Sequence, residues 1–380
     1  MLYNLRRKCG ELASTYIYER PDWPRFRIDQ NRLATELASV RHLQGRLIGR
    51  MEALGFKVRT EASLQNLTED ILKSNEIEGE FLDRSEVRSS IARRLGIDIA
   101  GLTPADRNVE GVVEMMLDAT QHYDRSLTKE RLFAWYAALF QIGNHPTNQL
   151  AVAGWRADAR GPMQVVSGPV GRERIHYQAP NAANVDAEMG RFLGWFNGTE
   201  DADPVLKAAV AHLWFVTIHP FDDGNGRIAR ALTDLLLARS EQSAQRFYSM
   251  SAQIRNERAD YYRVLEQTQK GDLDITPWIG WFLSCLAKAF ERAEAETAAA
   301  FGRARFWARH EAAALNERQR SMLNKLIDGF EGKLTSSKWA KIAKCSPDTA
   351  LRDIDGLIAQ GILKREHAGG RSTSYALAKD

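Results

Sequence analysis

From His219 to Arg230 the chain reads HPFDDGNGRIAR, one histidine, two aspartates, an asparagine and two arginines set around two glycines. Gly224 and Gly226 allow the backbone dihedrals that aim successive N–H groups at one point. A helix starting near Gly226 turns its positive end toward the same point. Arg227 and Arg230, three apart on that helix, add two cations on one face. Amides and two guanidiniums together suit a polyphosphate better than a lone carboxylate. Asp223 would hold Mg²⁺ against bound phosphates, and His219 stands where it could take a proton from an incoming hydroxyl. DDGNGR alone could equally be a solvent loop with an Asp cap and two surface arginines; it is the whole constellation that points to phosphate chemistry.

The elements that must position these groups read as helices. Leu33, Leu37, Val40, Leu43, Leu47, Met51 and Leu54 recur at spacings of three and four, a stripe that ends near Gly55. Leu64, Leu67, Ile71 and Leu72 repeat the pattern in a helix of about 61–79 that closes at Gly79. Two further helices are expected over 106–120 and 128–142, and helices resume from Pro204 to about Ala300. The exception is GPMQVVSGPVGRERIHYQAP, where Val165–Val166 and Ile175-His176-Tyr177 flank a Gly-Pro-Val-Gly turn and predict a hairpin. Residues 291–316 are rich in Ala and charge and read as a helical connector. Three short helices and a hairpin with Gly369-Gly370 at its tip complete the chain.

The 380 residues, 44% hydrophobic and 27% charged, suit a globular protein with two or three folding units. No apolar run is long enough to span a membrane, and the N-terminus lacks the apolar stretch of a signal peptide. Cys9, Cys285 and Cys345 are far apart and form no CxxC pair, which argues against disulfides and zinc and for a cytoplasmic location. A net charge of +3 makes no case for nucleic acid, although residues 317–380 carry twelve Lys/Arg against eight Asp/Glu.

HPFDDGNGRIAR resembles the signature of Fic proteins, H-x-F-x-[DE]-G-N-G-R-x-x-R, at every specified position. The resemblance implies a mainly α fold, a Fic-type helical core with a β-hairpin flap, and transfer of AMP from ATP to a Ser, Thr or Tyr hydroxyl of a protein. It implies His219 as general base, Asp223 as Mg²⁺ ligand and Phe221 as the loop's anchor in the core. Gly224, Asn225 and Gly226 would form the anion hole, with Arg227 and Arg230 on the phosphates. Ile175, His176 and Tyr177 fall where the family's flap pins a target segment by strand pairing. Asn256, Tyr261 and Tyr262 in NERADYYRVL resemble the adenine-side helix. SNEIEG fits the family's inhibitory pattern S/T-x-x-x-E-G/N, so that Ser74, Glu78 and Gly79 would form the inhibitory turn and Glu78 would pair with Arg230. ERPDWPRFRID resembles the start of a domain found on many bacterial Fic proteins.

These resemblances divide the chain into an N-terminal helical region over 1–100, a Fic domain over 101–290, the connector, and a part over 317–380 that resembles a winged helix-turn-helix. In that last part Ser346–Gln360 would be the recognition helix and 361–377 the wing, and Lys338, Lys341, Lys344, Arg352, Lys364, Arg365 and Arg371 could meet DNA phosphates. Asp348, Asp353 and Asp355 on the same helix argue for a protein contact instead. Three functions stay open: an autoinhibited adenylyltransferase, which could also modify itself; a deAMPylase in which Glu78 positions water; and a DNA-binding regulator with a nucleotide-sensing Fic domain. The sequence leaves a homodimer open as well. P-loop, HExxH and GxSxG patterns are absent.

Overall fold

The computed structural model describes residues 16–53, 55–140, 154–159, 161–169, 172–198, 202–310, 313–327, 329–330, 332–366 and 373–378. Residues 1–15 ahead of the N-terminal resemblance lie outside the described residues, as do Val170 and Gly171 of the turn, Gly369-Gly370 and Arg371.

The chain divides into two compact units between Glu291 and Arg292. The first begins with an extended lead-in whose Arg27 exchanges backbone hydrogen bonds with Leu273 and Ile275. Helix α1 (Gln30–Glu52) starts on an Asp29 cap that accepts from Arg32 N and buries Leu33, Val40, Leu43, Leu47 and Met51 of the expected stripe; Leu37 is half-buried and Leu54 lies outside the described residues. Helix α2 (Phe56–Ile77) begins about five residues before the expected start, capped by Gly55, and ends at Glu78. Helix α3 (Arg84–Leu95) is held by Asp83 at one end and a left-handed Gly96 at the other. Helices α4 (Arg107–Gln121) and α5 (Lys129–Phe140) follow. They cross closely because Gly111 has no side chain: a Cβ there would stand 1.9 Å from the Ala138 carbonyl oxygen.

Strands β1 (Gln164–Ser167) and β2 (Arg174–Gln178) pair antiparallel, with an irregularity between Val165 and Val166. Helix α6 (Ala182–Asn197) leads to the centre of the unit, α7 (Pro204–Ile218) packed along α8 (Asn225–Glu241). From Leu213 to Ile218 every residue of α7 is buried, which requires neighbours on all sides. Helix α9 (Met250–Asn256) packs on α2, while α10 (Arg258–Gln269) and α11 (Thr276–Arg309) supply some of these neighbours; Gln269 Nε2 donates to Val216 O at 3.4 Å and the Trp278 indole to Ala209 O at 2.8 Å.

The second unit contains the end of α11, α12 (Glu317–Ile327), α13 (Ser336–Ala343), α14 (Pro347–Ala359) and an antiparallel pair, β3 (Leu363–Arg365) with β4 (Tyr375–Leu377). Trp339, Ile354, Leu357 and Leu323 make its core, and Phe306 and Trp307 of α11 pack against them. Fourteen α-helices and two small antiparallel pairs among the described residues make the fold mainly α, as expected.

Candidate active site

The site lies where α7 ends and α8 begins. His219 caps α7 in the left-handed region at φ 54°, ψ 59°, a conformation rare for a residue with a side chain. The chain then turns inward at Phe221, which is fully buried and stacked on Tyr136 at 4.4 Å between ring centroids. Asn225 closes the loop by pairing with the backbone of that same residue: its Oδ1 accepts from Phe221 N at 3.0 Å and its Nδ2 donates to Phe221 O at 2.8 Å. The Asn225 side chain is therefore spent on the loop, and only its backbone amide is left for an anion. Gly224 starts α8 at φ +75°, where a Cβ would stand 3.0 Å from the Phe140 ring. No side chain caps α8, unlike α1, α3, α4, α7 and α9, so its first amides face the site.

Two arginines rise from this helix, each 2% exposed. Arg230 donates through Nε to Ser74 Oγ and through Nη2 to Ser74 O, both at 2.8 Å, and Nη2 meets Glu78 Oε1 at 2.7 Å. Arg227 donates through Nη1 to Glu80 Oε2 at 2.6 Å, lies over the Phe140 ring, and has Asp223 Oδ2 at 3.9 Å. The Glu78 carboxylate covers the start of α8 so closely that a Cβ on Gly226 would lie 2.1 Å from its Oε1. Two buried guanidinium nitrogens, Arg227 Nε and Arg230 Nη1, have no hydrogen-bond partner among the described residues. A buried donor without an acceptor is costly, and both are well sited for an anion.

The His219 ring Nδ1 lies 3.2 Å from Val216 O. A carbonyl can only accept, so that nitrogen carries the proton and Nε2 keeps its lone pair. Burial pushes the imidazole pKa below its ordinary 6.5, Arg156 pushes it further down, and the Val216 carbonyl, Glu78 and Asp223 pull the other way. The outcome is a neutral imidazole near pH 7, the form a base needs.

The three residues expected in a flap all lie on β2 and differ in exposure. Ile175 is about half exposed. His176 Nδ1 meets Glu266 of α10 at 2.8 Å, while its Nε2 meets Ser167 of β1 at 2.6 Å. Burial raises the Glu266 pKa, but Lys270 and His176 more than offset it and hold the carboxyl at about 2. Tyr177 points inward, buried, with its hydroxyl on Thr217 O at 2.6 Å. Its side chain anchors the hairpin to α7. On the adenine side the structure likewise separates the expected residues. Tyr261 is a core residue whose hydroxyl bonds His212 Nε2 at 2.9 Å. Asn256 is exposed at the end of α9, and Tyr262 lines a groove with Arg174 and His176 under the Arg258 guanidinium.

Sequence reasoning missed three residues here. Arg156, 4% exposed, donates through Nε to His219 O at 2.7 Å, pairs with Asp158 and donates to Pro180 O, tying the loop to the flap's exit. Glu80 holds Arg227; its signal was the repeated acid in Glu78-Gly79-Glu80. Asp70 accepts from Ser249 Oγ at 2.5 Å and from Ser251 N at 3.0 Å, fastening α2 to α9. Its signal was a charge among Leu67, Ile71 and Leu72 on the buried side of the helix.

A helical core whose loop-to-helix junction gathers anion donors beside a neutral histidine is the class that this fold and site define. Residues 107–237 match the Fic/DOC family, so that part of the chain is a Fic domain. Residues 16–97 match a second family, described as a domain of unknown function (DUF4172). The chain is 27% identical over 281 residues to Protein adenylyltransferase Fic of Culex quinquefasciatus, covering 72% of this chain and 48% of that protein. For the protein of the same name from Drosophila willistoni the identity is 33% over 114 residues, 30% of this chain and 21% of that one. The chain thus spans about half, or less, of these curated relatives. Among solved structures, a Fic family protein from Desulfovibrio desulfuricans has a TM-score of 0.50 at 20% identity, covering 91% of this chain and 96% of that one. A Fic domain containing signaling protein from Bacteroides thetaiotaomicron has the same score and identity over 67% and 96%. At such identities the likeness is one of fold.

Proposed function

We propose that the chain is a protein adenylyltransferase held in an inhibited state, one that moves AMP from ATP to a Ser, Thr or Tyr hydroxyl of a protein. The observation that carries this reading is the Glu78 carboxylate, which lies over Gly226 at the uncapped start of α8 and pairs with Arg230. It occupies the place where the donor set best suits phosphate. With that carboxylate withdrawn, α8 amides, Arg227 and Arg230 would hold the triphosphate. His219 Nε2 would take the proton as the target hydroxyl oxygen bonds to the α-phosphorus, and pyrophosphate would leave with the bond it breaks. Strand pairing along β2 would present the hydroxyl.

Asp223 is largely exposed, with Oδ1 accepting from Gly224 N at 2.6 Å. Among the described residues no group of three or more His, Cys, Asp or Glu could hold a metal alone. One carboxylate beside a phosphate site suits Mg²⁺ that arrives with the nucleotide and keeps most of its water. Bound there, it would offset charge on the departing phosphates.

The test is labelling with radioactive ATP and Mg²⁺ in cell lysate, wild type against Glu78→Gly. Misplacing the α-phosphate by about 1 Å can cost on the order of a hundredfold, so release should raise labelling, self-labelling included, by at least about tenfold. Equal labelling by the two proteins would sink the inhibited-enzyme reading. A Glu78→Gly protein that instead loses the ability to strip AMP from a modified target would point to the reverse enzyme.

A further inference from the structure

We propose that inhibition is exerted by two carboxylates, with Glu80 holding Arg227 as Glu78 holds Arg230; this rests on the reading of the site as an inhibited nucleotide site. The two pairs are built alike. Each guanidinium is 2% exposed, and each meets one glutamate, at 2.6 Å for Arg227 and 2.7 Å for Arg230. Each guanidinium also keeps one buried N–H with no partner among the described residues. The glutamates are the more exposed members, 41% for Glu80 and 31% for Glu78, so both enter the site from its open side.

They are also mechanically joined. Glu78 ends α2, Gly79 follows at φ +86°, and Glu80 N returns to Asn75 O at 3.0 Å while Gly79 N bonds Glu76 O at 3.2 Å. This is the helix-ending turn that glycine permits and that residues with side chains resist. It places the two side chains either side of one glycine and aims both at α8. The turn is pinned from behind: Asn75 is fully buried with Nδ2 on Ile71 O, and Arg258 Nε donates to Ile77 O at 3.0 Å. One turn therefore neutralises both cations of the site, and one movement of it would free both.

The consequence is that losing Glu78 alone leaves the site half closed. Arg227 would still be engaged by Glu80, and a polyphosphate would have to displace that carboxylate at a cost in affinity. Glu80 is solvent-facing, so its replacement removes the charge without opening the core.

Titration calorimetry of the full chain with Mg²⁺ and α,β-methylene ATP tests this, using wild type, Glu80→Ala, Glu78→Gly and the double variant, with thermal melts to verify folding. Close charge pairs couple strongly enough that the double variant should bind at least about threefold more tightly than Glu78→Gly. Self-labelling with ATP should rise in the same order. A double variant that binds and labels like Glu78→Gly would overturn the role of Glu80 and leave that of Glu78 standing. If Glu78→Gly neither binds more tightly nor labels more than wild type, the inhibited-site reading falls, and the two-carboxylate inference falls with it.

Discussion

His219 spends its ring Nδ1–H on Val216 O and is held at a positive φ, so its position comes from backbone strain as well as from contacts. The role of base proposed for it makes two predictions, both best read in the Glu78→Gly protein. His219→Ala should keep nucleotide binding, which rests on amides and arginines, and lower transfer by about 10²–10⁴-fold, the usual worth of a general base. Calorimetry beside a labelling assay separates the two, and labelling at the parent rate would refute the mechanism. The second prediction concerns pH. Because burial lowers the folded-state pKa, the imidazole stays neutral below the 6.5 of an ordinary histidine. The acid limb of kcat/KM should therefore fall below pH 6.5. The same shift makes the unfolded chain bind its proton first, so stability should begin to drop as pH falls through 6.5 and keep dropping until the folded imidazole protonates. A limb at or above 6.5 would contradict the assignment.

At the scale of elements, the loop from His219 to Gly224 is fixed by Arg156 as much as by α7 and α8. Arg156→Ala would strip donors from His219 O and Pro180 O and leave the Asp158 carboxylate with the Ala182 amide but no cation. Removing one partner of a buried pair costs about 3 kcal/mol or more, so thermal unfolding should shift down clearly, and transfer should fall with it. Lysine should rescue little, because one ammonium cannot span three acceptors. Unchanged melting would show that the loop holds itself. The helices were legible because their apolar spacing is local, as was the hairpin with its apolar flanks and Gly-Pro turn. The α8 junction was legible because both glycines and both arginines lie within seven residues. Arg156 was not, since nothing in GWRADAR says that a loop arginine is buried; beyond the neighbouring Asp158, its partners lie 24 and 63 residues away. Tyr177 and Tyr261 show the same limit. A tyrosine at a plausible site position and one at a core position have the same sequence signal, and only the partners of their hydroxyls tell them apart.

For the molecule as a whole, the second unit was read well in outline, three helices and a closing hairpin, and less well in its charges. Asp353, counted beforehand against DNA, is buried and bonded to Asn316 and Arg318, and Asp355 pairs with Arg365. Both charges are partnered, although Asp355, like Asp348, is exposed on the expected recognition helix. Any affinity for DNA would rest on Lys338, Lys341, Lys344 and Arg352 meeting phosphates, and should fall steeply with salt. Mobility shifts of mixed duplex DNA by the full chain at low and moderate salt, with and without Ala at the three lysines, measure this. No shift at micromolar protein would assign the unit to protein docking.

Asp70, Ser74 and Glu78 lie four residues apart along α2, one contact per turn of helix. The first is tied to α9, the second and third to Arg230. On the proposed reading, inhibition is a matter of angular phase. The helix is clamped at Asp70, and its rotation there decides what its last two turns present to the arginines. One extra residue after Asp70 would advance everything beyond it by about 100° and about 1.5 Å. An alanine inserted at that point should leave α2 seated and swing Glu78 away from Arg230. Labelling with ATP should then match Glu78→Gly, although every inhibitory side chain is still in the chain. A protein that still labels at the wild-type rate would mean the last turns rewind to restore the old phase.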